Sequence, residues 1–131
     1  MQIISVINQK GGVGKTTTVI NLAAGLSQLN KNILVIDLDP QGNATTGLGL
    51  SNMDNSSDTI YGVLNGSKEI SEVIKKTKFD NLNIITSNVD LSGLEVETAD
   101  DSNRAFILKA KLAAYLNNSG GFYDYVLIDC P

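Results

Sequence analysis

An α/β fold of stacked layers around a mainly parallel sheet is predicted by three features of the sequence. Apolar runs without polar alternation recur at Ile3 to Ile7, Ile33 to Ile36 and Tyr125 to Ile128. Strands buried on both faces, as in parallel sheets, have this pattern. Stretches with the 3.6-residue period of a helix lie between them. A glycine-rich segment joins the first run to the first helix, so the order strand, tight loop, helix, strand begins at once. Strands that alternate with helices bury their faces when helices cover both sides of one sheet.

The first helix spaces Val19, Leu22, Ala23, Leu26 and Leu29 helically and ends at Asn30-Lys31-Asn32, which completes a βαβ unit with Ile33 to Ile36. Gly42 to Asp58 is rich in Gly, Asn, Ser and Thr and is predicted as loop. Short helices are predicted at Thr59 to Leu64 and at Ile70 to Lys76, with Lys75, Lys76 and Lys78 as a solvated helix end. A weaker fourth strand follows at Leu82 to Thr86. The second long helix runs from about Asn103 to Leu116 with Phe106, Ala110 and Ala113 on one face. It stops at Asn117-Asn118-Ser119-Gly120-Gly121 and feeds the strand that ends at Asp129.

At 131 residues the chain has room for one core, and a single domain over residues 1–131 is expected. Hydrophobic content of 42% with 18% charged residues describes a globular chain, neither disordered nor membrane-embedded. No apolar run approaches the roughly 18 residues of a membrane span. No charged segment of a secretory signal precedes Ile3 to Ile7, so a cytoplasmic location without a membrane partner is expected. The single cysteine, Cys130, and the absence of histidine exclude an internal disulfide, a site of several thiolates and histidine proton transfer. A formal charge of −4 gives no strong general attraction for nucleic acid, so a DNA-binding surface would have to lie elsewhere. The last strand meets Pro131 with nothing to cover its far side, and the chain is expected to be part of a longer protein.

The chemistry-bearing residues start at Asn8-Gln9-Lys10-Gly11-Gly12-Val13-Gly14-Lys15-Thr16-Thr17, where the first helix begins inside the segment. A phosphate-binding loop requires this setting. Gly11, Gly12 and Gly14 lack side chains, so the backbone can wrap closely with successive N–H groups aimed at phosphate oxygens. The helix N-terminus adds partial positive charge at the same spot. Lys15 can place an ammonium on the β- and γ-phosphates, the Thr16 hydroxyl suits Mg²⁺, and Thr17 supports the α-phosphate. The bland alternative is a flexible glycine turn before an ordinary helix, which leaves the flanking elements unexplained.

A second polar cluster, Asp37-Leu38-Asp39-Pro40-Gln41-Gly42-Asn43, closes the second strand, and ligands of open parallel sheets sit beyond the carboxyl ends of strands. Carboxylates there can orient a water or hold a metal's hydration shell, although the same residue types also build plain turns. Asp129 follows its own apolar run and fits a carboxylate that reaches Mg²⁺ through water. Cys130 reads as a small apolar residue, since no histidine exists here to activate its thiol.

The strict loop pattern has glycine where this sequence has Gln9, and Lys10 precedes two glycines instead. Lys10 to Thr17 resembles the deviant Walker A signature of the ParA/MinD superfamily of ATPases. With Asp37 to Thr45, Gly47-Leu48-Gly49 and the closing Tyr123 to Pro131, the chain resembles the ParA/Soj family of chromosome and plasmid partitioning ATPases. Ser51 to Gly120 carries little of the likeness. The resemblance implies a P-loop NTPase-like three-layer fold, here truncated after the Walker B strand, with ATP/ADP and Mg²⁺ as cofactors. It implies that Lys10, Gly11, Gly12, Val13, Gly14, Lys15, Thr16 and Thr17 bind nucleotide, and that Thr16, Asp39 and Asp129 surround the metal. Catalysis would rest on Lys15, on Asp39 positioning the hydrolytic water, and on Lys10 reaching across a homodimer to the partner's ATP.

It further implies dimerisation on ATP binding, DNA binding without sequence preference, nucleoid association, and a ParB-type partner that stimulates a weak hydrolysis. The 131-residue chain alone is expected neither to bind DNA nor to hydrolyse ATP efficiently. Three neighbouring readings stay open. They are a MinD-like membrane-cycling division-site regulator, which usually lacks Pro-Gln-Gly-Asn, a redox ATPase like the nitrogenase iron protein, and a module in which nucleotide is only structural.

Overall fold

In the computed structural model, residues 2–6, 15–51, 58–88, 101–118 and 122–130 are described. Among these residues five strands form one sheet: β1 (Gln2–Val6), β2 (Ile33–Asp37), β3 (Ile74–Lys76), β4 (Leu82–Ile85) and β5 (Tyr125–Asp129). The helices are α1 (Lys15–Gln28), α2 (Asn43–Gly47), α3 (Ile60–Leu64), α4 (Ile70–Val73) and α5 (Asp101–Asn118). The sheet order is β1-β5-β2-β4-β3, with all neighbours parallel except the edge pair β3 and β4. The last strand in sequence thus sits between the first two.

Alternation along the strands sends their side chains to two cores. Ile33 and Val35 of β2, Leu82 and Ile84 of β4 and Leu127 of β5 pack with Val19 and Ala23 of α1 and with Leu48. Leu34, Ile36, Ile85, Val126 and Ile128 face the opposite way, against Ile60 and Val63 of α3, Val73 of α4, and Leu108, Leu112 and Leu116 of α5. A mainly parallel sheet with helices on both faces is the layered α/β class expected from the apolar runs and the three-layer arrangement that the resemblance implies. Helix α1 ends at Gln28, and the turn after it passes through Asn30, which adopts a positive φ of 62°. Hydrogen bonds from the Lys31 amide to the Leu26 carbonyl and from the Asn30 amide to the Ser27 carbonyl close the last turn there.

Several sequence expectations change. Ile70 to Lys76 is not one helix: it leaves the helix at Ile74 and becomes β3, pairing antiparallel with β4 through Lys75 and Ile84. Strand β4 offers an open ladder edge, and β-branched Ile74 suits a strand better than a helix end. Within the expected loop Gly42 to Asp58, residues Asn43–Gly47 form α2. In α5 the buried stripe is Leu108, Leu112 and Leu116, while Phe106 is 70% exposed and Ala110 and Ala113 are exposed as well. Leu29 is 69% exposed, lying beyond the last residue of α1. Lys75 is not merely solvated, since its ammonium donates to the Asp58 carbonyl at 2.8 Å and to Thr86 Oγ1 at 2.9 Å.

These packing differences give a direct contrast. Leu112→Ala removes a side chain that is 1% exposed and should cost about 2–5 kcal/mol of stability. Leu29→Ala, at an exposed position, should stay within about 0.5 kcal/mol. Urea unfolding of both variants measures the difference, and equal losses would mean that α5 is not docked through Leu112.

Candidate functional site

Because β1, β5 and β2 run parallel, their carboxyl ends share one edge of the sheet. The register sets Val6 opposite Asp129 and Asp129 opposite Asp37, so two acidic residues stand on adjacent strand ends. The ladder runs one step further, with the Leu38 amide donating to the Asp129 carbonyl at 2.9 Å. Lys15 and Thr16 are the first two residues of α1. Lys10, Gly11, Gly12, Val13 and Gly14 lie outside the described residues. Thr17, in the first turn of α1, is exposed.

Asp37 is fully buried and shares its carboxylate among three donors. Its Oδ1 accepts the Asp39 amide at 3.0 Å, while Oδ2 accepts the Thr45 amide at 2.9 Å and the Thr45 hydroxyl at 2.8 Å. Burial pushes the Asp37 carboxyl up from 3.8 to about 6, the bonds from Thr45 and Asp39 oppose the rise, and the charge of Asp129 adds to it. Asp39 is half-buried, and its Oδ1 accepts the Gln41 amide at 3.0 Å. The chain then reverses through Gly42, whose φ of 67° is one that side chains resist, and α2 begins. Helix α2 lies against α1 so closely at Gly47 that a Cβ there would overlap Cδ1 of Ile20.

The structure therefore sets Asp129 beside Asp37 on adjacent strand ends and hangs Asp39 on the turn that follows β2. Sequence reasoning singled out Asp39 and passed over Asp37 and Thr45 as an anchoring pair. A charged residue closing a four-residue apolar run was the available signal for Asp37. Nothing local marks Thr45, which lies eight positions away in a segment of turn-forming composition. Cys130 is only partly buried and packs against the core that α3, α4 and α5 cover, in keeping with an apolar rather than nucleophilic role.

Both oxygens of Asp37 are engaged by Asp39 and Thr45, which leaves buried Asp129 and half-buried Asp39 as the hard oxygen donors that suit a small divalent cation. Among the described residues no group of three or more His, Cys, Asp or Glu side chains forms a cation cage. That donor set fits Mg²⁺, which takes one or two carboxylates and completes its shell with water and phosphate oxygens. Among the described residues, no helix is long and apolar enough to cross a membrane.

The model of the AAA domain family matches residues 1–131. The chain is 43% identical over 130 residues to the sporulation initiation inhibitor protein Soj of Bacillus subtilis, covering 99% of this chain and 49% of that protein. It is also 43% identical over 131 residues to the chromosome partitioning protein ParA of Caulobacter vibrioides, covering all of this chain and 48% of that one. The chain thus spans about half the length of the curated relatives it matches. Among solved structures, cobyrinic acid a,c-diamide synthase from Mycobacterium smegmatis with bound ATP analog and magnesium superposes with a TM-score of 0.86 at 37% identity, over all of this chain and 51% of its own.

The raised Asp37 carboxyl has a consequence for folding. Between pH 4 and 6 the folded chain holds a proton that the unfolded chain releases, so stability falls as pH rises through that window. The fall should total about 3 kcal/mol and level off above pH 6. Urea unfolding at stepped pH in EDTA measures it, and Asp37→Asn should flatten that part of the slope. An unchanged slope in the variant would assign the effect to other groups.

Proposed function

The chain belongs to the AAA domain family, and we propose that it binds Mg-ATP at the carboxyl edge of its sheet as the nucleotide-handling part of a partitioning ATPase. The observation that carries this is the strand register: Asp129 and Asp37 stand side by side at the carboxyl ends of adjacent parallel strands, where sheets of this kind bind their ligands. The likeness to Soj and ParA, at 43% identity over the whole chain, supports segregation of a chromosome or plasmid as the process served. No specific observation favours the membrane-cycling or redox readings.

The roles follow from charge and reach. The amides of Gly11, Gly12, Val13 and Gly14 wrap the phosphates, and the Lys15 ammonium neutralises the β- and γ-oxygens. Thr17 supports the α-phosphate. Thr16 offers its hydroxyl to Mg²⁺, and Asp39 and Asp129 hold the cation's water shell. Held there by Thr16, Asp39 and Asp129, Mg²⁺ would supply positive charge that offsets the charge building on the phosphate oxygens. Asp39 orients the attacking water. Lys10 serves a second copy, crossing a nucleotide-sandwich homodimer to the partner's ATP.

Hydrolysis, weak alone and raised by a ParB-type protein, then switches the full-length protein between dimer and monomer. Non-specific DNA contact, and with it nucleoid association in the cytoplasm, belongs to the full-length dimer rather than to these 131 residues with their formal charge of −4.

Titration with a fluorescent ATP analogue tests the site. Lys15→Ala should weaken binding by about 10- to 100-fold, the loss of one charge-assisted contact. Thr16→Ala should remove most of the gain that Mg²⁺ gives. Lys10→Ala should leave one-to-one binding near that of the unaltered chain while abolishing ATP-dependent dimers of the full-length protein in light scattering. Unaltered binding by Lys15→Ala would end the proposal.

A further inference from the structure

Three separate parts of the chain meet at one hydroxyl. Ser87, just past β4, donates its amide to Thr45 Oγ1 at 3.0 Å. The Thr45 hydroxyl donates in turn to Asp37 Oδ2 at 2.8 Å, and Asp37 Oδ1 receives the Asp39 amide at 3.0 Å. Asp37, Thr45 and Ser87 are all fully buried.

The direction of this chain of bonds is set by chemistry. A backbone amide can only donate, so Ser87 occupies an acceptor position on Thr45, and the one hydroxyl proton of Thr45 goes to the carboxylate. The Thr45 amide binds the same oxygen at 2.9 Å. One carboxylate oxygen is therefore held by α2 and the end of β4 together, which leaves the other turned toward the amide of Asp39. Valine would fill the same volume as Thr45, yet it would leave the Ser87 amide buried without an acceptor and release one of the two bonds on Oδ2.

We propose that Thr45 is a positioning residue for Asp39. Its hydroxyl, clamped between the Ser87 amide and Asp37, fixes the carboxylate from which the Asp39 turn hangs, and so sets where Asp39 stands relative to the nucleotide edge. Thr45 touches no reacting atom and acts through Asp37. The consequence for metal and nucleotide rests on the ATPase function proposed above, whereas the consequence for the Asp39 turn does not.

Two measurements on the same variants separate these. In the nucleotide-free protein, amide hydrogen exchange at Asp39 should speed up about tenfold in Thr45→Val, the loss of roughly one hydrogen bond. Val35, inside β2, should keep its relative protection, and Thr45→Ser should restore Asp39. With ATP, the affinity gain between EDTA and excess Mg²⁺ should shrink about tenfold in Thr45→Val and persist in Thr45→Ser, while affinity in EDTA stays level.

An unchanged Asp39 amide, or Asp39 and Val35 accelerating together, overturns the proposal. So does a full Mg²⁺ gain in Thr45→Val, or an equal loss with and without the cation. If the unaltered protein shows no Mg²⁺-dependent ATP binding, the ATPase function fails, and the exchange data still decide the role of Thr45. Should Thr45→Val not fold, Thr45→Cys, whose thiol is a weaker donor, should speed Asp39 exchange in the same direction.

Discussion

Strand β5 lies between β1 and β2, and most of the molecule is arranged by that insertion. Parallel ladders to both neighbours satisfy its backbone on each side. Main-chain groups buried in a core must be paired, so the register is held along the full length of all three strands. A shift of one residue would send Val126 and Ile128 to the wrong face and carry Asp129 away from Asp37. The pairing that builds the core is also the pairing that assembles the acidic edge.

That edge carries a cost which its surroundings offset. A carboxylate without solvent loses its hydration, and here a second carboxylate stands on the next strand, so Asp37 is driven toward its neutral form. Three donors from Asp39 and Thr45 partly counter this. Those same bonds explain α2, a five-residue helix in a segment whose composition favours turns. Isolated helices of that length do not persist in water, so the hold on the Thr45 amide and hydroxyl, together with the close approach of Gly47 to Ile20, stabilises it.

The long elements were legible because their signals repeat. β2, β5 and α1 follow from runs and periods that several residues enforce together, and the weaker run Leu82 to Thr86 sufficed for β4, observed at Leu82–Ile85. Elements set by one partner were not. Ile74–Lys76 becomes a strand only because β4 presents a free edge, and Lys75 finds Asp58 and Thr86 only across that pairing. The face of α5 was misjudged because Phe106, the most apolar candidate, stands on the side away from the sheet, while Leu108, Leu112 and Leu116 hold the buried stripe.

From its order of residues alone, this protein declares a phosphate-loop segment between a strand and a helix, two acidic strand ends and a layered α/β class, since each depends on neighbours within about one helical turn or one strand. Only the folded chain decides that β5 enters between β1 and β2, that Asp37 rather than Asp39 is the buried anchor, and that Thr45 links α2 to the end of β4. Those outcomes depend on contacts between residues 8 to 123 positions apart. No local spacing encodes contacts of that kind, which form only when burial of the two cores brings the segments together.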